Sequence, residues 1–335
     1  MSLYTAETRR LVKRRFTKLF VIGALLVLAA VAAGVFFSNQ KVSPEQISKA
    51  TAEAQAQYQQ AVQQSVQEKE KCQAAQGTAG AGQYPPNCDI YTPTQEDFNP
   101  QWYMPPTFDF RDSFPDMVTT LAAVLAVVAF VIGASFVGAE WSSGGMMNLL
   151  LWRPRRLQVL GTKLAALLVA FAVLSVVVSA IWTGLFAFIA STHGSLDSMT
   201  SGAWQSMLLM EARALGLVLV AGAVGFGLAS VGRHTAMALG VAIGTIIVFQ
   251  FGLGTVLALA KVKFPELYLA PFWIFAWMNK EYRIEDYNSC DYNATTGCVP
   301  DSLTITWPMA GGLLAGIFVL VVGGAMWTMR SRDIT

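Results

Sequence analysis

Six long apolar stretches, separated by polar segments, set the hydrophobic pattern of this 335-residue chain. Apolar runs of about 18 residues or more can cross a bilayer as helices, which satisfy their own backbone hydrogen bonds where lipid offers no partner. The alternating segments of about ten residues that build a membrane β-barrel are absent. The pattern predicts an all-α polytopic membrane protein with six transmembrane helices: 19–37, 117–138, 164–190, 205–232, 235–260 and 303–329.

The first of these spans follows a basic stretch, as the core of a signal peptide does. Its 19 residues, 19–37, exceed the roughly 7–15 residues that are typical of a signal core. We therefore expect the first span to be a retained membrane anchor.

Lysine and arginine are distributed unevenly between the two sides that six spans define. Both termini then lie on one side, which holds thirteen basic and three acidic residues, whereas the opposite loops hold nine basic and seventeen acidic residues. Cytoplasmic loops carry the excess of Lys and Arg. We therefore expect a multi-pass protein of the plasma membrane with both termini in the cytoplasm, and we interpret the basic face as a topology signal rather than a nucleic-acid site.

The basic N-terminus, residues 1–18, has the pattern of a cytoplasmic interfacial helix. Phe16 belongs to an apolar face at helical spacing, while Arg10 and Arg14 belong to the surrounding basic face. Such helices lie in the headgroup region and are attracted to anionic lipids. The alternative is a plain basic flank that is disordered or continuous with the first span.

The polar segment 38–115 predicts an extracellular helical domain between the first and second spans. Ser43, Pro44 and Gln46 form a helix-start pattern, and apolar residues follow at three- or four-residue steps until a helix end expected before Gly77. We interpret this domain as a structural cap rather than a catalytic unit.

A second extracellular loop is expected at 261–302, between the fifth and sixth spans. Its part 264–277 is too apolar for a free loop and too short and Pro-broken to span, which is typical of a re-entrant or interfacial segment. After the last span, 330–335 form a cytoplasmic tail.

All four cysteines fall in these extracellular segments, as two pairs that are close in sequence. Disulfides persist outside the cytosol, so we expect the bridges Cys72–Cys88 and Cys290–Cys298, although four cysteines allow three connectivities. No histidine lies near either pair, so we do not expect a metal site.

The sequence lacks the residue patterns that are typical of a catalytic or ATP-binding site. His193 and His234 lie in turns on opposite sides of the membrane, and no GxxxxGK[ST] phosphate-binding loop is present. The spans contain no nucleophile with a histidine or lysine base inside the bundle. We therefore expect neither an enzyme nor a cofactor in this chain.

Three residues within the spans are candidates for lining a substrate pathway. Glu211 lies in the fourth span ahead of its uncharged run, and Gln250 lies beside Phe249 in the fifth. Charges inside a membrane are functional by default. The alternatives are that Glu211 is interfacial with its side chain turned outward, and that Gln250 bonds to a neighbouring helix.

The cytoplasmic segment 139–163 differs from a plain connecting loop. It begins with Glu140 and a flexible Ser-Ser-Gly-Gly turn, continues with the apolar stretch 146–152, and ends with basic residues up to Lys163. The apolar stretch is too short to span and suits a short surface helix that offers Met, Leu and Trp to a protein partner. A topology-setting basic loop with an interfacial helix is the alternative.

This segment resembles the cytoplasmic coupling region of type-2 ATP-binding-cassette (ABC) exporter permeases. That region has a Gly-x-Glu near the end of the second span, a Gly-rich turn, a Leu-Leu stretch, a Pro/Arg turn and a Lys that starts the third span. The basic ending from Arg330 also resembles the family, whereas the domain at 38–115 is larger than usual. The matching residues here are Gly138–Glu140, Gly144–Gly145, Leu149–Leu151, Arg153–Arg156 and Lys163.

The resemblance implies a permease subunit without its own ATPase site, exporting an amphipathic drug, lipid or peptide. Its partners would be a cytoplasmic ABC ATPase subunit that binds ATP and Mg, a second permease copy or homologous permease, and membrane lipid. A membrane sensor or scaffold, whose extracellular domain binds a ligand or envelope component, is the alternative. The residues expected to couple to the ATPase are Glu140, Gly144, Gly145, Leu150, Trp152, Arg153, Pro154, Arg155, Arg156 and Lys163.

Overall fold

The computed structural model describes residues 3–77, 81–85, 87–152, 155–293 and 297–331, without the side chains of 81, 152, 287–293 and 297–298. The helices are α1 (Leu3–Lys13), α2 (Arg15–Ser38), α3 (Pro44–Ala75), α4 (Phe110–Ser142), α5 (Gly145–Trp152), α6 (Arg156–His193), α7 (Ser201–Gly232), α8 (Thr235–Thr245), α9 (Gly254–Leu259), α10 (Ala270–Asn279) and α11 (Trp307–Ser331). The strands are β1 (Phe108–Asp109), β2 (Gly194–Ser195), β3 (Glu281–Asn293) and β4 (Gly297–Thr306).

Six helices of the described structure are long and apolar enough to cross a membrane, as the hydrophobic pattern predicts. The fifth is composite, because a π-helical segment, Ile246–Leu253, joins α8 to α9. The six are Arg15–Ser38, Phe110–Ser142, Arg156–His193, Ser201–Gly232, Thr235–Leu259 and Trp307–Ser331.

The chain divides into two compact units, and the larger one holds most of each span. It comprises Met1–Ala32, Arg111–Phe186 and Met199–Thr335. Within it, α4 and α7 approach closely, because a Cβ on Gly133 would overlap the carbonyl of Gly222 and a Cβ on Gly225 would overlap that of Phe130. Small residues permit such backbone approach between membrane helices, so these glycines hold α4 against α7.

The segment before the last span forms a β-hairpin, which the all-α prediction did not include. β3 and β4 pair antiparallel, with Glu281 opposite Thr306 and Ile284 opposite Leu303. The sixth span was expected from 303, but α11 begins at Trp307. The reason is that the alternating, β-branched residues before Trp307 pair with β3 and bury Ile305 against α10.

The expected re-entrant segment 264–277 forms a 3₁₀ turn, Pro265–Tyr268, followed by α10. Ala276 on α10 shares a small buried core with Ile284 and Ile305 of the hairpin. Its depth in the membrane stays a prediction. The hairpin also carries Cys290 and Cys298, whose side chains lie outside the described residues, so their bridge stays a prediction as well.

The second unit comprises Ala33–Phe110 and Ala187–Ser198. The predicted helix start is confirmed: the Ser43 side chain accepts from the Gln46 amide, and the Gln46 side chain accepts from the Ser43 amide. The predicted Cys72–Cys88 disulfide is also present. Tyr58 of α3 packs against Phe98, with ring centroids 6.0 Å apart. The location of this unit outside the cell stays a prediction.

Candidate functional site

Lys163, near the start of α6, is fully buried with its ammonium group between two carboxylates. Its Nζ donates a hydrogen bond to Oε2 of Glu7 at 2.6 Å, and it is in ion-pair contact with Oε2 of Glu140, also at 2.6 Å. The second contact lacks hydrogen-bond geometry. A buried ammonium group is tolerated only when it is paired, so Lys163 ties helices α1, α4 and α6 together.

Arg14 extends this arrangement from the short break between α1 and α2. Its Nη2 lies 3.6 Å from Oε1 of Glu140, and its Nη1 donates to the carbonyls of Ser135 and Phe136 at 3.1 and 3.3 Å. The Phe136 ring lies under both cations, 5.4 Å from the Arg14 guanidinium and 5.0 Å from Lys163 Nζ. We call Glu7, Arg14, Glu140 and Lys163 the ionic cluster.

Arg10 sits at the edge of the cluster. Its Nη1 lies 3.4 Å from Oε1 of Glu7, one helical turn earlier in α1. The Arg10 side chain is mostly exposed while that of Glu7 is buried, so Arg10 connects the ionic cluster to the protein surface.

The turn after α4 leads directly from the cluster into α5. Gly144 has φ +71°, a conformation that glycine adopts without strain and other residues disfavour. Met146 and Leu150 of α5 are buried, whereas Leu151 is 77% exposed. Of the leucines predicted to meet a partner, Leu150 therefore points into the protein, and Leu151 is the one on the free face.

A cleft of about 940 Å³ opens between α1, the end of α4 and α5. Its walls include Gly145 and Asn148 from α5 and Glu140 from the end of α4. The cations that line it all come from the N-terminal helix and the break after it: Arg9, Arg10, Lys13 and Arg14.

The structure brings together only part of the residues proposed for coupling. Glu140, Gly145 and Lys163 meet at the cluster and cleft, and the interfacial-helix residues Arg10 and Arg14 join them. Arg155 is exposed and Arg156 half-buried at the start of α6. Arg153 and Pro154, and the side chain of Trp152, lie outside the described residues.

Phe16 lies apart from the cluster. It packs on Phe20, with ring centroids 4.5 Å apart, and is 39% exposed. An apolar ring on the outer side of the first span suits lipid, and the placement of α1 at the membrane surface stays a prediction.

Sequence reasoning missed the role of Glu7, the acidic residue within a strongly basic segment. A signal was present, because Glu7 precedes Leu11 by four residues and so lies on the apolar face of α1. Both residues are buried. A carboxylate on the apolar face of a basic helix indicates a buried cationic partner, but periodicity does not say which cation it is.

The pathway candidates lie elsewhere in the larger unit. Glu211 of α7 is half-buried and accepts a short hydrogen bond from the Thr183 hydroxyl of α6. Gln250 and Phe249 lie in the π-helical segment, with Gln250 half-buried and Phe249 57% exposed. π-Helical segments occur often at functional sites, but the roles of these residues stay predictions.

Arg213 and Trp277 form a reciprocal contact that joins α7 to α10. Arg213 Nη1 donates to the Trp277 carbonyl at 3.2 Å, and Trp277 Nε1 donates to the Arg213 carbonyl at 2.8 Å. A Cβ on Gly311 would lie 2.7 Å from the Trp277 ring, and one on Gly216 would lie 3.3 Å from it. The ring therefore occupies a slot between α7 and α11.

Comparison with known proteins assigns the chain to a family. None of the curated proteins matches it. The family model for ABC-2 family transporter proteins, however, matches residues 1–330, which include five candidate spans and all but the last residue of the sixth. The protein therefore belongs to the ABC-2 transporter family, as an ABC-2 type permease, the membrane-spanning component that has no ATPase site of its own.

Proposed function

We propose that the protein is the permease subunit of an ATP-driven exporter in the plasma membrane, with both termini in the cytoplasm. Separate cytoplasmic ATPase subunits bind ATP and Mg and contact the segment 139–163. The substrate is amphipathic: a drug, lipid or peptide. The family match supports the permease role, and the excess of Lys and Arg on one side supports the orientation.

The observation that carries the proposal is the ionic cluster beside α5. Glu140 lies at the end of α4, five positions before α5 begins at Gly145, and Lys163 lies near the start of α6. Their ion pair joins the two spans that flank the segment. A displacement of α5 by an ATPase would therefore move α4 and α6 together, because breaking a buried ion pair is costly.

Two contacts offer a route from α4 to the fifth span. A Cβ on Gly138 would overlap Thr235 at the start of α8, so the two backbones touch there. The Arg233 guanidinium lies 5.0 Å from the Trp141 ring centroid, over the same junction. A shift of α4 is thereby passed to the helix that carries Gln250, a pathway candidate.

A second permease copy, or a homologous permease, completes the pathway in this proposal. A Cβ at Gly240, Gly244, Gly312 or Gly316 would meet no neighbouring atom of the described residues within 4 Å. These are the small-residue pairs of the fifth and sixth spans, and small residues at four-residue spacing suit close helix contact in lipid.

Co-expression with the nearest encoded cassette ATPase tests the proposal. We expect the two chains to co-purify as a complex that hydrolyses ATP. Leu151→Glu places a charge on the free face of α5 and should abolish co-purification. Ile47→Glu, a matched change at an exposed apolar residue of α3, should leave it intact. A folded, disulfide-bonded permease that forms no complex would instead favour the sensor or scaffold.

Glu140→Ala tests the coupling role within an assembled complex. We expect ATP hydrolysis to continue without its stimulation by substrate, since α4 and α6 are no longer joined at α5. Stimulation equal to that of the unaltered complex would remove Glu140 from the coupling route.

A further inference from the structure

The cleft between α1 and α5 has a net positive charge, which has no role in the proposed export function. Around it, five cations, Arg9, Arg10, Lys13, Arg14 and Lys163, accompany two carboxylates, Glu7 and Glu140. Five positive and two negative charges leave the cleft and its floor with three net positive charges.

The two carboxylates are already engaged inside the protein. Glu7 and Glu140 both contact Lys163 at 2.6 Å, and Arg14 also contacts Glu140. Arg9 and Lys13, by contrast, form no salt bridge with the described residues, although both face the cleft and are exposed. The uncompensated charge therefore lies on the cleft wall formed by α1.

Asn148 adds a neutral donor to the opposite wall. Asn148 lines the cleft from α5 and is exposed, whereas the basic lining residues come from α1 and the break after it. Basic side chains together with an amide donor suit the several acceptor oxygens of a phosphate group.

The position of the cleft indicates where that phosphate comes from. Helix α2, a candidate span, begins at Arg15, immediately after the cleft residue Arg14. The candidate span of α4 ends at Ser142, just beyond the cleft residue Glu140. Taking these two candidate helices as spans places the cleft where they leave the hydrocarbon, at the level of lipid headgroups.

We propose that this cleft binds the phosphate of an anionic phospholipid headgroup, held by Arg9, Lys13 and Asn148. The bound headgroup bridges α1 and α5 beside the ionic cluster. The binding itself does not depend on the exporter proposal, because it concerns only the folded chain and lipid.

Native mass spectrometry of the purified full chain in mixed micelles tests this binding, since micelles expose both sides of the protein. The probes are phosphatidylglycerol and, as a zwitterionic comparison, phosphatidylcholine. We expect one phosphatidylglycerol to be retained in preference to phosphatidylcholine. The double variant Arg9→Gln/Lys13→Gln should weaken phosphatidylglycerol binding about 30-fold, because each basic side chain near an anionic headgroup contributes roughly 5-fold.

Arg15→Gln/Lys18→Gln is the matched control, with the same loss of charge from exposed residues just beyond the cleft. It should weaken binding much less than Arg9→Gln/Lys13→Gln does, because neither Arg15 nor Lys18 lines the cleft. Equal losses in the two variants would mean general attraction to a basic surface and would overturn the proposal. Asn148→Glu, which adds a carboxylate to the opposite wall without touching α1, should reproduce the loss, and full retention of binding in this variant would also contradict the site.

Competition separates the lipid from other anions. Millimolar inorganic phosphate should not displace phosphatidylglycerol, and displacement would assign the cleft to a soluble phosphate compound. A glutamate-rich peptide is the second competitor. If this peptide binds wild type but not Arg9→Gln/Lys13→Gln, and if neither protein binds phosphatidylglycerol, the cleft is a site for an acidic protein segment and the lipid assignment is overturned.

Discussion

Lys163 and Glu7 are 156 positions apart in the chain, yet Nζ and Oε2 lie 2.6 Å apart in the folded protein. Both side chains are excluded from solvent. The N-terminal helix is thereby fixed to the start of the third span, and the second span joins them through Glu140.

Removing the Lys163 cation should lower the free energy of unfolding. Lys163→Met leaves two buried carboxylates without their shared partner, and we expect a loss of about 3–5 kcal/mol in the free energy of unfolding. Thermal unfolding in detergent, followed by tryptophan fluorescence, measures it. Lys49→Met, in the exposed pair with Glu45, is the control and should lose no more than about 1 kcal/mol.

A triple variant separates lost pairing from lost packing. Glu7→Gln/Glu140→Gln/Lys163→Met replaces Lys163 and both of its carboxylate partners, so much of the stability should return, because neither the ammonium group nor a carboxylate stays buried without a partner. Arg14 loses its contact with Glu140 but is 26% exposed and keeps its hydrogen bonds to the Ser135 and Phe136 carbonyls. A triple variant as unstable as Lys163→Met would show that the shape of the site, rather than its charge balance, determines the loss.

The close approach of α4 and α7 depends on glycine. Gly225→Ala places a methyl group against the Phe130 carbonyl, and we expect a loss of about 1–3 kcal/mol from overpacking. At Gly184 of α6 a Cβ would meet no neighbouring atom within 4 Å in the part of the chain that the structure describes, so Gly184→Ala should be neutral or slightly stabilising. Unfolding of both variants in the same detergent compares them, and equal stability would contradict the backbone contact.

The indole of Trp277 should be needed for its hydrogen bond to α7. Trp277→Phe keeps a ring in the slot but removes the donor to the Arg213 carbonyl, so we expect a loss of about 0.5–1.5 kcal/mol. Trp327→Phe, at a residue that is 70% exposed, should stay within about 0.5 kcal/mol of wild type in the same unfolding measurement. A similar loss in both variants would indicate a general effect of replacing tryptophan.

The Cys72–Cys88 bridge should stabilise the unit that contains α3. Closing a loop of about 15 residues contributes roughly 3 kcal/mol, so Cys72→Ser/Cys88→Ser should speed limited proteolysis around residue 85 while leaving the spans resistant. Peptide mapping without reductant identifies the bridges. We expect Cys72–Cys88 and Cys290–Cys298, and a peptide joining Cys72 to Cys290 would refute this pairing.

Local signals in the sequence predicted much of the fold. The helix start at Ser43 needed only Ser43, Pro44 and Gln46, because a capping box joins residues three positions apart. The β-hairpin before Trp307 was missed, although Leu303 and Ile305 alternate with polar residues, because the apolar run of the sixth span directly follows them.

The candidate site was predicted only in part, because it depends on how helices that are distant in sequence pack together. Glu140 and Lys163 stand out at the ends of two apolar runs, and the family resemblance adds the glycines between them. The position of Glu7 on the apolar face of α1 indicates a buried cation, but the sequence does not say that this cation is Lys163, nor that Leu150 turns inward. Both depend on which faces of α1 and α5 pack against their neighbours.

The sequence by itself determined the six apolar spans and the excess of basic residues on one side of them, and it predicted the bridge Cys72–Cys88 that the structure contains. Hydrophobicity, charge and spacing are local properties. Only the tertiary structure decided that Lys163 lies between Glu7 and Glu140, and that Trp277 lies between Gly216 and Gly311. Such contacts join residues of distant helices, and they form only when packing fixes the rotation and depth of each helix.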